Sequence, residues 1–254
     1  MRVTVLGCSG GIAETLRTTS LLLNDEVLID AGTGVGELSL ASMSLIKNIF
    51  LTHSHMDHIA SIPLLVDSIF DRIEAPINIH GLEATIQALQ HHIFNNIIWP
   101  DFSLLPNPRN PVMRYQVMAP GEIYANDEFS IEMIPVNHIV PGVGYRVQTL
   151  DKAFAFTGDT TTNDSFWQIL NQRERLDMLF VEAAFPDQDI EICRRAGHYC
   201  PRLLAEDLAK LKHRPEIYIT HAKPGAEKII FEQCKAQIRD HRINMLTGGA
   251  SFTL

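Results

Sequence analysis

Short apolar runs, each closed by a polar or glycine-containing stretch, recur along the chain and alternate with segments of helical periodicity. Residues 3–6 read as a first strand running into the turn Gly7-Cys8-Ser9-Gly10-Gly11. Residues 20–23 and 26–30 have the pattern of a hairpin across Asn24-Asp25. The run 48–51 reads as a buried strand, followed by a helix over 59–70, a strand over 77–80 and a helix from Gly81 to about residue 95. The second half repeats the alternation. Strands are predicted over 131–136, 144–147, 153–157, 178–181 and 217–220, the first two pairing across Pro141-Gly142. Helices are predicted over 164–173, 201–212 and 226–239. Residues 94–115 break the pattern, because Ile97, Ile98, Trp99, Phe102, Leu104 and Leu105 are interleaved with Pro100, Pro106, Pro108 and Pro111. Proline at that density excludes regular helix or central strand. The segment is an irregular connection packed on the core, a lid over the site, or a self-association surface.

The strand over 48–51 delivers the densest chemistry of the chain, Thr52-His53-Ser54-His55-Met56-Asp57-His58. His53 and His55, two positions apart in extended chain, fall on one side. Asp57 and His58 enter the first turn of the next helix and face the same point. Three imidazoles and a carboxylate converging there suit zinc or another borderline divalent ion. The later strands end in the same kind of residue: His138, Asp159 within Gly158-Asp159-Thr160, Glu182, and His221. His53, His55, Asp57, His58, His138, Asp159 and His221 are too many ligands for one tetrahedral ion but suit two ions that share a carboxylate. The simplest partition gives His53, His55 and His138 to one ion and Asp57, His58 and His221 to the other, with Asp159 bridging. Two ions so placed lower the pKa of a shared water. Zinc is the expected metal for both ions, with iron or manganese as alternatives. Asp30, at a strand end, either orients a ligand histidine or caps a helix. His80, His91 and His92 lack ligand-like spacing and read as surface or strand-end residues. The glycines of residues 7–11 could cradle a phosphate, yet no lysine follows them as in a phosphate loop.

At 254 residues with 46% hydrophobic composition, the chain is expected to form a single domain over 1–254. A formal net charge of −9 argues against a broad basic surface for a nucleic-acid backbone. Neither a membrane span nor a membrane partner is expected, since no apolar run reaches the necessary length. Cys8 superficially resembles a lipoprotein cleavage site, but the residues before it are too few for a signal segment and read better as a strand. Cys8, Cys193, Cys200 and Cys234 have no framework spacing, which suits reduced thiols and a cytoplasmic location. A homodimer is the default expectation for assembly.

The stretch from Thr52 to His58, with His138, Gly158-Asp159-Thr160 and Thr220-His221, resembles the metallo-β-lactamase superfamily over nearly the whole chain. That resemblance implies an α/β fold, a four-layer αββα sandwich of two mixed sheets with helices outside. Within the superfamily, residues 6–11, 53–61, Val181-Glu182-Ala183-Ala184-Phe185 and Gly197-His198-Tyr199-Cys200 are most similar to bacterial cyclic-nucleotide phosphodiesterases, and beyond them to tRNA 3′-processing endonucleases. Met56 departs from the phosphodiesterase pattern, which usually has leucine. By resemblance to the endonucleases, Glu182 and His198 pair, with the imidazole protonating the departing oxygen; a helix-capping role for His198 is the alternative. The implied activity is hydrolysis of a small 3′,5′-cyclic nucleotide by hydroxide attack on phosphorus. Asp57 and Asp159 would hold or deprotonate the water. The rival readings are a tRNA-processing endonuclease, a thiolester or β-lactam hydrolase, and a non-hydrolytic di-iron oxygen sensor.

Overall fold

The computed structural model describes residues 1–254. Its first half supplies β1 (Arg2–Gly7), β2 (Ser20–Leu23), β3 (Val27–Ile29), β4 (Asn48–Phe50), β5 (Ile77–Gly81) and β6 (Met113–Val117). Its second half supplies β7 (Ile123–Ala125), β8 (Ser130–Pro135), β9 (Val143–Gln148), β10 (Ala153–Phe156), β11 (Met178–Glu182), β12 (Glu216–Thr220) and β13 (Ile243–Met245). The last strand, β14 (Ser251–Thr253), returns to pair with β1. Two seven-stranded sheets result, ordered β14-β1-β2-β3-β4-β5-β6 and β13-β12-β11-β10-β9-β8-β7. Each is mixed: β3 to β6 and β10 to β13 run parallel, and the remaining pairs are antiparallel.

The strands read as continuous apolar runs because both of their faces are covered. Phe50 points between the sheets, where it packs with Val5, Ile29, Tyr145, Phe156 and Phe180. Its neighbours Ile49 and Leu51 point the other way, toward α3 (Ile62–Ser68) and α4 (Glu83–His92). On the second sheet, Leu179 and Val181 face α5 (Ser165–Gln172), α6 (Ile190–Ala196), α7 (Pro201–Leu208) and α8 (Glu227–Gln237). The layering is the expected αββα sandwich. A hydrogen bond from the Tyr145 hydroxyl to the Leu51 carbonyl, 2.7 Å, ties the sheets together beside the first histidine.

The helix expected over 59–70 begins earlier and is broken. A short α2 (Met56–Ile59) precedes α3, and α1 (Leu40–Met43) lies upstream. Pro63 lies in the first turn of α3, where its missing N–H costs nothing; further along a helix it would remove a hydrogen bond. The strands β6, β7, β13 and β14 and the helix α6 were not expected from the pattern. His80 is a strand-end residue as expected, but it is buried, stacked on Phe50 at 4.2 Å and bonded to the Asn48 side chain. His91 and His92 are exposed at the end of α4.

The lid reading of residues 94–115 is overturned. In the crossover β5–α4–β6, α4 starts beyond the C-terminal end of β5, and the chain must return to Met113, which pairs with Ile77 at the opposite end. Residues 94–112 therefore lie toward the sheet edge away from the Thr52–His58 loop. Phe94 and Phe102 anchor them in the core, while Ile97 and Ile98 face solvent. No helix of the chain is long and apolar enough to cross a membrane.

Candidate metal centre and its acid–base pair

The parallel strands β4, β10, β11 and β12 end at one edge of the sandwich, and each hands its next residues to the same point. β4 runs into His53, β10 into Asp159 and β12 into His221, while β11 ends on Glu182 itself. His138 follows β8. Gly158 makes this convergence feasible. Its φ is +60°, and a Cβ there would lie 2.9 Å from the Thr52 side chain and 2.9 Å from the Val143 carbonyl. Only glycine allows both the backbone turn and that approach.

The seven residues expected as ligands come together in two groups that share one member. His53, His55, His138 and Asp159 form the first; Asp57, His58, Asp159 and His221 form the second, with the donor atoms of each within 4.8 Å of one another. In the first, His138 Nε2 lies 3.2 Å from His55 Nδ1, and His53 Nε2 lies 3.7 Å from Asp159 Oδ2. In the second, Asp159 approaches His58 Nε2 at 3.3 Å and His221 Nδ1 at 3.2 Å, and Asp57 Oδ2 lies 3.8 Å from His221 Nε2.

The donor set fits divalent ions. The Nε2 atoms of His53, His58 and His221 are buried and lack any hydrogen-bond partner, a state that costs free energy unless something electrophilic sits there. The opposite ring nitrogens are held in place. His58 Nδ1 donates to Asp30 Oδ2 at 2.7 Å, and His138 Nδ1 donates to the Gly197 carbonyl at 2.8 Å. His53 Nδ1 lies 3.0 Å from the Thr52 hydroxyl, which donates in turn to Asp30. These contacts point Nε2 of each ring into the site. Asp30 thus orients a histidine rather than capping a helix. It does so from a left-handed backbone (φ +57°), as does His221 (φ +62°); a non-glycine residue rarely adopts that conformation, and it gathers at functional sites.

Burial disfavours charge on His53, His55, His138 and His221, which are all pushed below the ordinary imidazole range, His221 to about 3. They are therefore neutral, the form that ligates metal. Burial opposes charge on His58 as well, but Asp159 and Asp30 outweigh it and lift its pKa well above the usual value. An ion entering the second group must displace that proton. Asp159 is also buried, yet His221 and His58 hold its carboxyl well below the usual range. Replacing Asp30 with alanine should free the His58 ring and weaken divalent-ion affinity by about 10–100-fold, measured by competition with a chromogenic chelator.

Beside the two groups stands a third, Asp159, Glu182 and His198. His198 Nδ1 donates to Glu182 Oε1 at 2.8 Å, and its ring lies 5.1 Å from that of His138 and 5.3 Å from that of His221. Glu182 is fully buried and also accepts from the backbone N–H groups of Thr160 (2.9 Å) and Tyr199 (3.3 Å). Burial disfavours the His198 cation, but Glu182 outweighs this and raises its pKa. The glycine-rich turn does not present a free backbone cradle. Cys8 N and Ser9 N donate to the Arg17 carbonyl, Gly10 N donates to Ala222, and the Gly10 carbonyl accepts from Lys223 Nζ. The turn instead packs beneath His221. Thr52 stands in the sequence motif with no role expected for its hydroxyl, and Lys223, two residues after His221, escaped the sequence reading.

The β-lactamase superfamily domain model matches residues 25–222, a span that holds every residue of the three groups. The chain belongs to the metallo-β-lactamase superfamily. Among its relatives, a ribonuclease Z of Acaryochloris marina is 29% identical, covering 63% of this chain and 51% of its own length. A probable 3′,5′-cyclic-nucleotide phosphodiesterase of Yersinia pestis is 24% identical, covering 89% of this chain and 79% of its own length. The chain thus spans about half the length of the ribonuclease Z relatives it matches. Unliganded yeast PDE1 superposes with a TM-score of 0.84 at 20% identity, covering 100% of this chain and 99% of that one, and so shares the fold.

Proposed function

We propose that this superfamily member is a metal-dependent phosphodiesterase that opens a small 3′,5′-cyclic nucleotide to the nucleoside monophosphate. The observation that carries the reading is the buried Glu182–His198 pair standing against the shared Asp159. A phosphodiester expels an alkoxide, which leaves poorly without a proton. A histidine whose Nδ1 is fixed by a carboxylate keeps Nε2 free to supply one. A thiolate needs no such donor, so the pair favours a phosphodiester over a thiolester. Divalent ions bound by the two histidine groups would activate a water and neutralise the non-bridging phosphate oxygens. Asp57, the most exposed of the acidic ligands with 28% of its side chain accessible, is placed to hold or deprotonate the attacking water. His53, His55, His58, His138 and His221 hold the ions, and Asp159 joins the two groups.

The chain's net charge of −9 favours a single small phosphate over a folded RNA, whose binding needs many cationic contacts. The ribonuclease reading retains the support of the ribonuclease Z relatives. A side-by-side assay of 3′,5′-cyclic AMP, 3′,5′-cyclic GMP, precursor tRNA and a thiolester decides between them. Opening of a cyclic nucleotide, with rates that vary modestly with salt, is expected. Trimming of tRNA with inert cyclic nucleotides would overturn the choice, and inactivity on every phosphodiester would favour a thiolesterase or a non-hydrolytic sensor.

A further inference from the structure

Behind the acid–base pair lies a buried carboxylate that the reaction does not use. Asp207, in α7, is 2% exposed, and its side chain accepts four hydrogen bonds. Three of them are the Tyr199 hydroxyl at 2.5 Å, the Asn163 backbone N–H at 3.0 Å and the Trp167 indole N–H at 3.1 Å, all on Oδ2. The fourth, from Lys210 Nζ at 2.7 Å, falls on Oδ1. Two of these donors belong to the loops that carry the chemistry. Tyr199 follows His198 directly and is fully buried. Asn163 closes the loop that begins at Asp159, and its side chain donates to the Thr160 hydroxyl at 3.0 Å and the Thr161 carbonyl at 3.1 Å. Thr160 then bonds Asn137, the residue before His138, and its N–H donates to Glu182.

We propose that Asp207 is a positioning residue. Its buried carboxylate ties the Asp159–Asn163 loop to the His198–Tyr199 loop and so fixes how the proton donor stands relative to the bridging carboxylate. A buried charge satisfied by four donors is costly to disturb, and its partners move together. Asp207 belongs to none of the three donor groups, so it acts through the placement of His198 and is expected to weigh most on the step that needs the proton. The inference rests on the general-acid reading of His198.

The test compares metal-loaded Asp207→Asn, Tyr199→Phe and Trp167→Phe proteins on cyclic AMP and on bis(p-nitrophenyl) phosphate, whose nitrophenolate leaves without a proton. Asp207→Asn should lower kcat on cyclic AMP by about 10–100-fold with little change in KM, because a misplacement of about 1 Å is enough to cost that much. The rate on the nitrophenyl ester should fall far less. Tyr199→Phe should show the same selectivity, and it decides the matter if Asp207→Asn fails to fold. Trp167→Phe removes a donor attached to neither loop, so it should lower Tm without changing the ratio of the two rates. In Asp207→Asn or Tyr199→Phe, equal losses on both substrates, or a lowered Tm with cyclic AMP turnover intact, would overturn the proposal. Failure of the underlying reading looks different: His198→Ala would then slow both substrates equally, whatever Asp207 does.

Discussion

Replacing His198 with alanine should slow opening of 3′,5′-cyclic AMP by about 10²–10⁴-fold, the range for a lost general acid. Bound metal and Tm should stay close to those of the parent protein, because His198 lies outside the two histidine groups. The same variant should lose little on a nitrophenyl phosphodiester. The cause is geometric: Glu182 Oε1 fixes His198 Nδ1 at 2.8 Å and leaves one ring nitrogen to face the site. Glu182→Gln keeps the shape but removes the charge that favours the imidazolium, so it should reproduce part of the loss. Steady-state rates on the two substrates, set beside metal analysis, check this. A loss of metal in His198→Ala would make it a ligand instead and remove the acid from the scheme.

Asp159→Ala should have the larger consequence for composition. Asp159 is the one residue common to all three groups, and its two oxygens face different sides, Oδ2 toward His53 and His58 and Oδ1 toward His221. The parent protein should carry about two ions per chain, as expected of a two-metal site. The variant should retain about one or fewer and should lose nearly all activity at ordinary metal concentrations. Elemental analysis after native purification reads the outcome directly. A parent protein holding one tightly bound ion, with Asp159→Ala unchanged in content, would refute the shared-carboxylate arrangement.

Much of this site was legible in the sequence because chemistry and strand ends coincide. The run from Thr52 to His58 is contiguous, and His138, Asp159, Glu182 and His221 each follow or close an apolar run. The αββα layering followed from the family resemblance, and the apolar runs agree with it because each central strand is buried on both faces. The parts that escaped are those with no local signature. β13 and β14 have three residues each, and only their partners make them strands. The break between α2 and α3 hangs on Pro63, which inside a longer apolar pattern does not announce whether it kinks a helix or starts one. Residues 94–112 owe their place to the direction of the crossover between β5 and β6. Asp207 reads in sequence as an ordinary acidic residue on an amphipathic helix. Nothing short of the packed structure shows that Tyr199, Asn163 and Trp167 all turn toward it.

The two histidine groups draw evenly on the two halves of the molecule. The loop after β4 contributes His53 and His55 to one and Asp57 and His58 to the other, while the second sheet completes them with His138, His221 and the shared Asp159. Neither half alone offers more than two protein donors to either group. A complete set of donors therefore exists only where the two sheets have docked in register, so the site reports on assembly of the whole sandwich.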